Sequence, residues 1–398
     1  MKYISVEQVE PGDVLARSIY TSEGLTLLQA GVQLTVGMIN KLRRFGVTMV
    51  SIKDPLLDDV NVEEVVTETT RKDAIRNLSA AIQCVQSGKG FDVRGVQKAV
   101  SGVVEEILKN RRVLLNLSDI RTTDNALYIH SLNVCMMATV MGVGLGYNTS
   151  QLKELAIGAL LHDIGKVSVD ADNSRADAAM DEAGKAGPAE SGEAGPEEAK
   201  TLEGQSASNG EDKLESDETE PPVEDLKNHF TWRGFHLLRR KHEMSIVSAH
   251  IPLQHQEWVD GSGVPRGLSG NQIHEFAKIV AICNYYDDLI SPFSEEAETL
   301  PPFEACERIM GLAEKRFDIK MVNHFLRSIA VYPTGSSLKL STGEIGIVID
   351  QNRGLPSRPV VRVIRRGQNA SKHMTEEHDV RDIDLSEHPT VFITGVME

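Results

Sequence analysis

The stretch of this sequence best equipped for chemistry is Leu160-Leu161-His162-Asp163-Ile164-Gly165-Lys166. An imidazole binds one metal ion, and a neighbouring carboxylate, with two oxygens, can bridge a pair of them. A Lys four residues after the His predicts an ammonium on the same helical face, placed to hold the charge of a phosphoryl group. An adjacent His and Asp also serve commonly as a capping pair, so the dipeptide alone leaves both readings open. Three further histidines bear on the choice. His130 lies in the apolar helical run Tyr128-Ile129-His130-Ser131-Leu132-Asn133-Val134, where a polar ring without a partner is costly. His229 opens Asn228-His229-Phe230-Thr231-Trp232-Arg233-Gly234, and His255 sits in Gln254-His255-Gln256-Glu257-Trp258. Each taken singly is more often a satisfied core or surface histidine. Together, four His and one Asp on successive helices are the ligand set of a two-metal hydrolase.

The elements that must bring these residues together read as mainly α. Residues 1–55 alternate short apolar runs with turns at Pro11-Gly12-Asp13, Ser22-Glu23-Gly24 and Gly31; a short amphipathic helix follows from Thr35 to Phe45, then a strand from Val47 to Ile52. This is a small α+β module. From 60 to 330 the periodicity is helical, with Ile75, Leu78, Ile82 and Val85 on one face and Val96, Val100, Val103, Val104 and Ile107 on the next. Ser118 or Thr123 is a candidate start for the following helix. Residues 331–398 read as β-rich, with strands at Ser337–Leu340, Glu344–Asp350 and Arg358–Arg365. Ala126–Leu145 is the most apolar stretch, but His130, Ser131 and Asn133 interrupt it, so it reads as a core helix rather than a membrane span.

The formal net charge of -16 is unevenly distributed. Residues 170–225 hold eighteen Asp/Glu against four Lys/Arg, fourteen of the sixteen net negative charges. Residues 170–226 also lack any aromatic residue, and such a composition buries too little apolar surface to offset its ordering entropy. We read the segment as a disordered loop inserted into the helical domain. The rest of the chain is nearly neutral and offers no broad basic face, which excludes a nucleic-acid polymer as partner. Four scattered cysteines without CxxC spacing and an early polar N-terminus indicate free thiols and a cytoplasmic protein without a membrane anchor.

As a set, HSLNV at 130–134, LLHDIGKV at 160–167, His229 with Gly234, QHQEWVDGSGVPRGLSG at 254–270 and IVAICNYYDDL at 279–289 resemble the HD-GYP family of the HD phosphohydrolase superfamily. The resemblance covers 110–330 without the acidic segment. It implies a helical HD-type bundle and a metal-dependent phosphodiesterase that hydrolyses cyclic di-GMP with two divalent ions, iron or manganese. Carried over by position, His130, His162, Asp163, His229 and His255 match metal ligands, and Asn284 stands at a further ligand position usually held by Asp. Lys166 matches the phosphate-contacting lysine, so that Asp163 and Lys166 are the catalytic pair. Gly261, Gly263 and Pro265 match the family's signature loop beside the substrate. Gln256 replaces a paired histidine, Val264 replaces the tyrosine of the signature, Ala126 offers no extra carboxylate, and Ser291-Pro292-Phe293-Ser294 replaces a stretch that often carries a substrate-binding Arg. An amide oxygen is a neutral, weaker ligand than a carboxylate. Asp287, one turn beyond Asn284, is therefore the candidate compensating ligand, and Asn284→Asp is expected to tighten metal retention.

Two rivals to the phosphodiesterase follow from these departures. One is a degenerate domain that binds a cyclic dinucleotide or a protein partner without cleaving it, signalling through the flanking modules as a homodimer or in a complex. The other is an HD-type hydrolase of a different nucleotide. Independently of that choice, replacing residues 170–226 by a short flexible linker should leave the melting temperature nearly unchanged. Loop-closure entropy varies only slowly with loop length. A large loss of stability or helicity in thermal melts would show that the segment is structured.

Overall fold

The computed structural model describes residues 2–21, 25–47, 49–54, 57, 59–60, 65–110, 114–115, 122, 125–167, 229–291, 299–366 and 378–397. The expected acidic loop at 170–226, and Ser118 and Thr123, lie outside them. The described residues build three separate apolar clusters. In the first, β1 (Lys2–Ser5) pairs antiparallel with β4 (Met49–Ile52), and β2 (Ile19–Tyr20) pairs with β3 (Thr26–Leu28). Helix α1 (Val36–Arg44) starts at Thr35, whose side chain accepts from the Met38 amide, and it buries Ile39 and Leu42 in this cluster.

The central cluster is helical. Helix α2 (Glu68–Gln86) and α3 (Val93–Lys109) pack together through the faces that periodicity marks out. Against them lies α4 (Ala126–Gly144), apolar on all sides and buried along most of its length. Among the described helices it alone is long and apolar enough to cross a membrane, yet 72% of its apolar window is buried inside the protein. That burial identifies α4 as the core helix of the bundle. Helix α5 (Thr149–Leu160) opens with a capping box of Asn148 and Gln151 and packs on α4. After a 3-10 turn at Ile164–Lys166 come α6 (Phe230–Arg239), α7 (Ile246–Gln254), α8 (Glu275–Ile290), α9 (Pro302–Gly311) and α10 (Ile319–Leu326). Helix α8 rests on α4, α7, α9 and α10. The third cluster belongs to an antiparallel five-stranded sheet of order β8-β7-β6-β5-β9. Its strands are β5 (Ser337–Leu340), β6 (Ile345–Asp350), β7 (Val360–Arg366), β8 (His378–Asp384) and β9 (Ile393–Met397).

One side chain ties this sheet to the segment before α2. Arg362 of β7 donates from Nη1 and Nη2 to the two carboxylate oxygens of Asp59 at 2.6 and 2.9 Å, and from Nε and Nη2 to those of Asp382 at 2.8 and 3.0 Å.

The structure departs from the sequence reading at the chemical centre. Helix α5 ends at Leu160, so His162 and Lys166 do not share an α-helical face. His162 and Asp163 occupy a turn, and Lys166 reaches Asp163 across three residues at 2.7 Å. Consecutive residues of an α-helix diverge by about 100°; breaking the helix lets both side chains face one point. Gly165 makes the break feasible. A Cβ there would collide with the backbone carbonyl of Phe230 and lie 2.6 Å from the Gly234 amide, so the turn packs backbone to backbone against α6. Gly165→Ala should therefore destabilise the protein by about 2 kcal/mol or more, the scale of overpacking. Gly144→Ala, whose new methyl meets nothing nearer than Ser328 Oγ at 4.0 Å, should stabilise by roughly 0.5 kcal/mol. Denaturant unfolding of the two variants checks the contrast, and equal effects would contradict it.

Candidate metal centre

Four helices deliver side chains to one buried point. His130 comes from the second turn of α4, His162 and Asp163 from the turn after α5, His255 from the end of α7, and Asn284 from α8. All five are buried. Two of the rings are set by the same local device. The last carbonyls of a helix lack intrahelical donors, and here His162 Nδ1 donates to Ala159 O and His255 Nδ1 to Pro252 O, each at 2.8 Å and each three residues back. His130 is anchored differently: its Nδ1 donates to Asp287 Oδ2 at 2.6 Å, while Asp287 Oδ1 accepts from Asn133 Nδ2 at 3.1 Å. A histidine whose outer nitrogen is fixed by a carbonyl or carboxylate presents a bare lone pair on the other.

These lone pairs converge. His130 Nε2 and His162 Nε2 lie 3.2 Å apart, and Asn284 Oδ1 lies 3.0 and 2.9 Å from them. Asp163 Oδ2 is 3.6 and 3.4 Å from the same two nitrogens. On the other side, Asp163 Oδ1 and His255 Nε2 face each other at 3.6 Å, both buried and neither with a hydrogen-bond partner. The pocket is thus walled almost entirely by acceptors, which repel one another unless a cation lies among them. A proton or a metal ion among them would relieve that repulsion. Ligand atoms of His130, His162 and Asp163 lie within 4.8 Å of one another, close enough to hold one ion.

Electrostatics agrees with that reading at His162 and Asp163. Burial pushes the His162 imidazole down to about 3, against the pull of Asp163, so it stays neutral at physiological pH. Burial alone would raise Asp163, but the neighbouring His162 and His255 rings and the Lys166 ammonium together hold it well below the usual carboxylate range. For His130 burial also disfavours charge, yet the bond to Asp287 outweighs it and raises the imidazole. Lys166 Nζ sits 2.7 Å from Asp163 Oδ2 and 5.1 Å over the Phe230 ring, with a side chain 38% exposed.

The remaining predicted residues fall outside the innermost group. His229 caps α6, its Nδ1 2.9 Å from Thr231 Oγ1, and its ring lies tilted 4.5 Å from that of Phe230, which in turn lies 5.8 Å from His255. It adjoins the cluster at the edge. Gly261, Gly263 and Pro265 belong to a loop folded on itself after His255. The buried Glu257 carboxylate accepts from the Arg266 and Leu268 amides at 2.9 Å each, and a Cβ at Gly263 would collide with the Trp258 backbone. Gln256 lies in the same loop, its carbonyl accepting from the Val264 amide. Asp287 is not placed as a compensating ligand; it stands behind His130, on the side away from the converging lone pairs. Sequence reasoning overlooked Asn133, Phe230 and Asp288. The last accepts from Asn284 Nδ2 at 3.0 Å, and its spacing of four from Asn284 was the available signal. Asp287→Asn should keep the helical signal intact while weakening Mn²⁺ binding about 10- to 100-fold, the effect of losing an outer partner of a ligating histidine. Titration of metal-free protein against a competing chelator measures it, and unchanged affinity would remove Asp287 from the site.

Residues 224–321 match the family model of the HD domain, and 338–398 that of a KOW domain associated with the HD domain. The first match carries His229, His255 and Asn284; His162 and Asp163 lie on the far side of the acidic segment. A cyclic di-GMP phosphodiesterase of Pseudomonas aeruginosa is 25% identical over 280 residues, 69% of this chain and 57% of that protein. A cyclic di-GMP phosphodiesterase of Thermotoga maritima is 34% identical over 112 residues, 27% of this chain and 29% of that protein. The chain thus spans little more than half the length of the first and under a third of the second. A solved HDG"Y"P protein from Bdellovibrio bacteriovorus shows 16% identity and a TM-score of 0.45, with 81% of this chain and 97% of that one covered. By its match over 224–321 the chain resembles HD-domain proteins, and the curated relatives it matches are cyclic di-GMP phosphodiesterases.

Proposed function

We propose that this protein is a metal-dependent phosphodiesterase of the cytoplasm whose substrate is a cyclic dinucleotide, cyclic di-GMP first among them. The observation that carries the reading is the buried set of converging acceptors on His130, His162, Asp163, His255 and Asn284, with one ammonium, Lys166, at its exposed side. The names of the curated relatives support the substrate class. His130, His162, Asp163, His255 and Asn284 would hold two divalent ions, iron or manganese, with His229 at the edge. Ions bound there supply Lewis acidity and lower the pKa of water at neutral pH.

The chain's own groups account for the rest of the chemistry. Asp163 divides its two oxygens, one toward His255 and one under Lys166. Lys166 is held by that carboxylate and by the Phe230 face, so its ammonium is already oriented where a phosphoryl oxygen would arrive. Donors fixed in advance stabilise charge that develops in the transition state without reorganising. Backbone anchoring of His162 and His255 keeps their tautomers fixed through the cycle. The buried surroundings strengthen each of these interactions.

A turnover assay with cyclic di-GMP and manganese-loaded protein tests the proposal. Cleavage should depend on added metal, fall about a hundredfold in Lys166→Ala as expected for loss of one charge-stabilising group, and vanish in Asp163→Asn. Binding of cyclic di-GMP without cleavage by metal-loaded wild type would establish the receptor reading instead. Cleavage of another nucleotide with no affinity for cyclic di-GMP would move the protein to a different branch of HD hydrolases.

A further inference from the structure

The Asn at position 284 looks from sequence like a damaged ligand. Its surroundings argue otherwise. Its carboxamide has two chemically distinct ends, and each end meets a partner suited to it. Oδ1 faces the Nε2 atoms of His130 and His162 at 3.0 and 2.9 Å; Nδ2 donates to Asp288 Oδ2 at 3.0 Å. A carboxylate only accepts, so Asp288 can be satisfied only by the amide nitrogen, and that choice turns the oxygen toward the histidines. The two residues are one helical turn apart on α8, the spacing at which side chains of a helix touch. Asp288 is 37% exposed in its side chain and its Oδ1 lies 3.7 Å from His130 Nδ1, so it borders the site without facing the converging lone pairs.

From this geometry we propose that Asn284 and Asp288 act as one unit. Asp288 is a positioning residue that fixes the carboxamide with its oxygen toward the ion, and it supplies from just outside the ligand shell the negative charge that the amide lacks. The inference rests on the metal-centre reading above. It reverses the expectation drawn for Asn284→Asp from sequence alone. A carboxylate at 284 would place one oxygen about 3 Å from Asp288 Oδ2, an acceptor against an acceptor with no donor between them. The single exchange therefore confronts two acceptors, whereas the double exchange Asn284→Asp/Asp288→Asn restores a donor and an acceptor with their positions swapped.

The test is a cycle of variants read by Mn²⁺ dissociation constant and by metal content after dialysis, with metal-free thermal melts as control. Asp288→Ala should weaken Mn²⁺ binding roughly tenfold, within the range for losing an outer partner of a ligand. Asp288→Asn, whose amide oxygen still accepts from Asn284, should recover part of that loss. Asn284→Asp alone should bind Mn²⁺ no more tightly than wild type. Asn284→Asp/Asp288→Asn should bind about tenfold more tightly than Asn284→Asp. If Asn284→Asp tightens binding equally whether residue 288 is Asp or Asn, the two residues are independent and the proposal is overturned while the metal centre stands. If wild type holds no Mn²⁺ at all, both fall together. Should Asn284→Asp fail to fold, the comparison of Asp288→Ala with Asp288→Asn still decides, since equal affinities would exclude a positioning role.

Discussion

The structure of this protein depends on a concentration of like-natured atoms in its interior. Three imidazole lone pairs, a carboxylate and an amide oxygen meet where a core would ordinarily place methyl groups. Left to themselves these acceptors repel and are poorly solvated, and a folded chain tolerates them only when each is held from behind. The holding is visible at every member. Helix-end carbonyls grip His162 and His255, Asp287 grips His130, Lys166 grips Asp163, and Asp288 grips Asn284. The breaks and close contacts of the bundle follow from that arrangement. Helix α5 stops where it does, and Gly165 lies against α6 without a side chain, because two adjacent residues must face the same point.

The division of labour between apolar packing and polar anchoring is equally clear. Helix α4 has almost no polar face, and it forms the spine against which α2, α3, α5 and α8 are laid. On such a helix a single histidine gains its orientation from one carboxylate on a neighbouring helix, with Asn133 fixing that carboxylate in turn. The rigidity of the surrounding core is what makes distances of about 3 Å between acceptors sustainable. A looser core would let the rings rotate apart.

Much of this was legible in the sequence where local pattern decides. The apolar spacing of α2 and α3 marks their buried faces, the turn signals around β5, β6 and β7 bound those strands, and a histidine inside an apolar run announces a partner. Legibility ended where tertiary contact decides. LLHDIGK continues the apolar pattern of α5, and nothing local reveals that the backbone must leave the helix to meet α6. Asp287 and Asp288 are consecutive carboxylates one turn beyond Asn284, and sequence cannot say which side of His130 each will take. Their roles separate only in space, Asp287 behind the ring and Asp288 on the amide. Strands β8 and β9 carry too little alternation to stand out, since His378–Asp384 is largely polar and owes its place to pairing with β7.

The shared guanidinium of Arg362 has a consequence of another kind. Asp59 and Asp382 come from opposite ends of the chain, and both carboxylates face solvent in good part, at 66% and 45% exposure. Attraction between partly exposed charges is screened over about 8–10 Å at ordinary ionic strength, whereas apolar packing is not weakened by moderate salt in this way. Dissolved ions therefore weaken this joint. The link between the leading segment and the terminal sheet loosens as salt rises, while the three apolar clusters keep their form. The tether between the two ends of the polypeptide is in that sense adjustable by the surrounding medium.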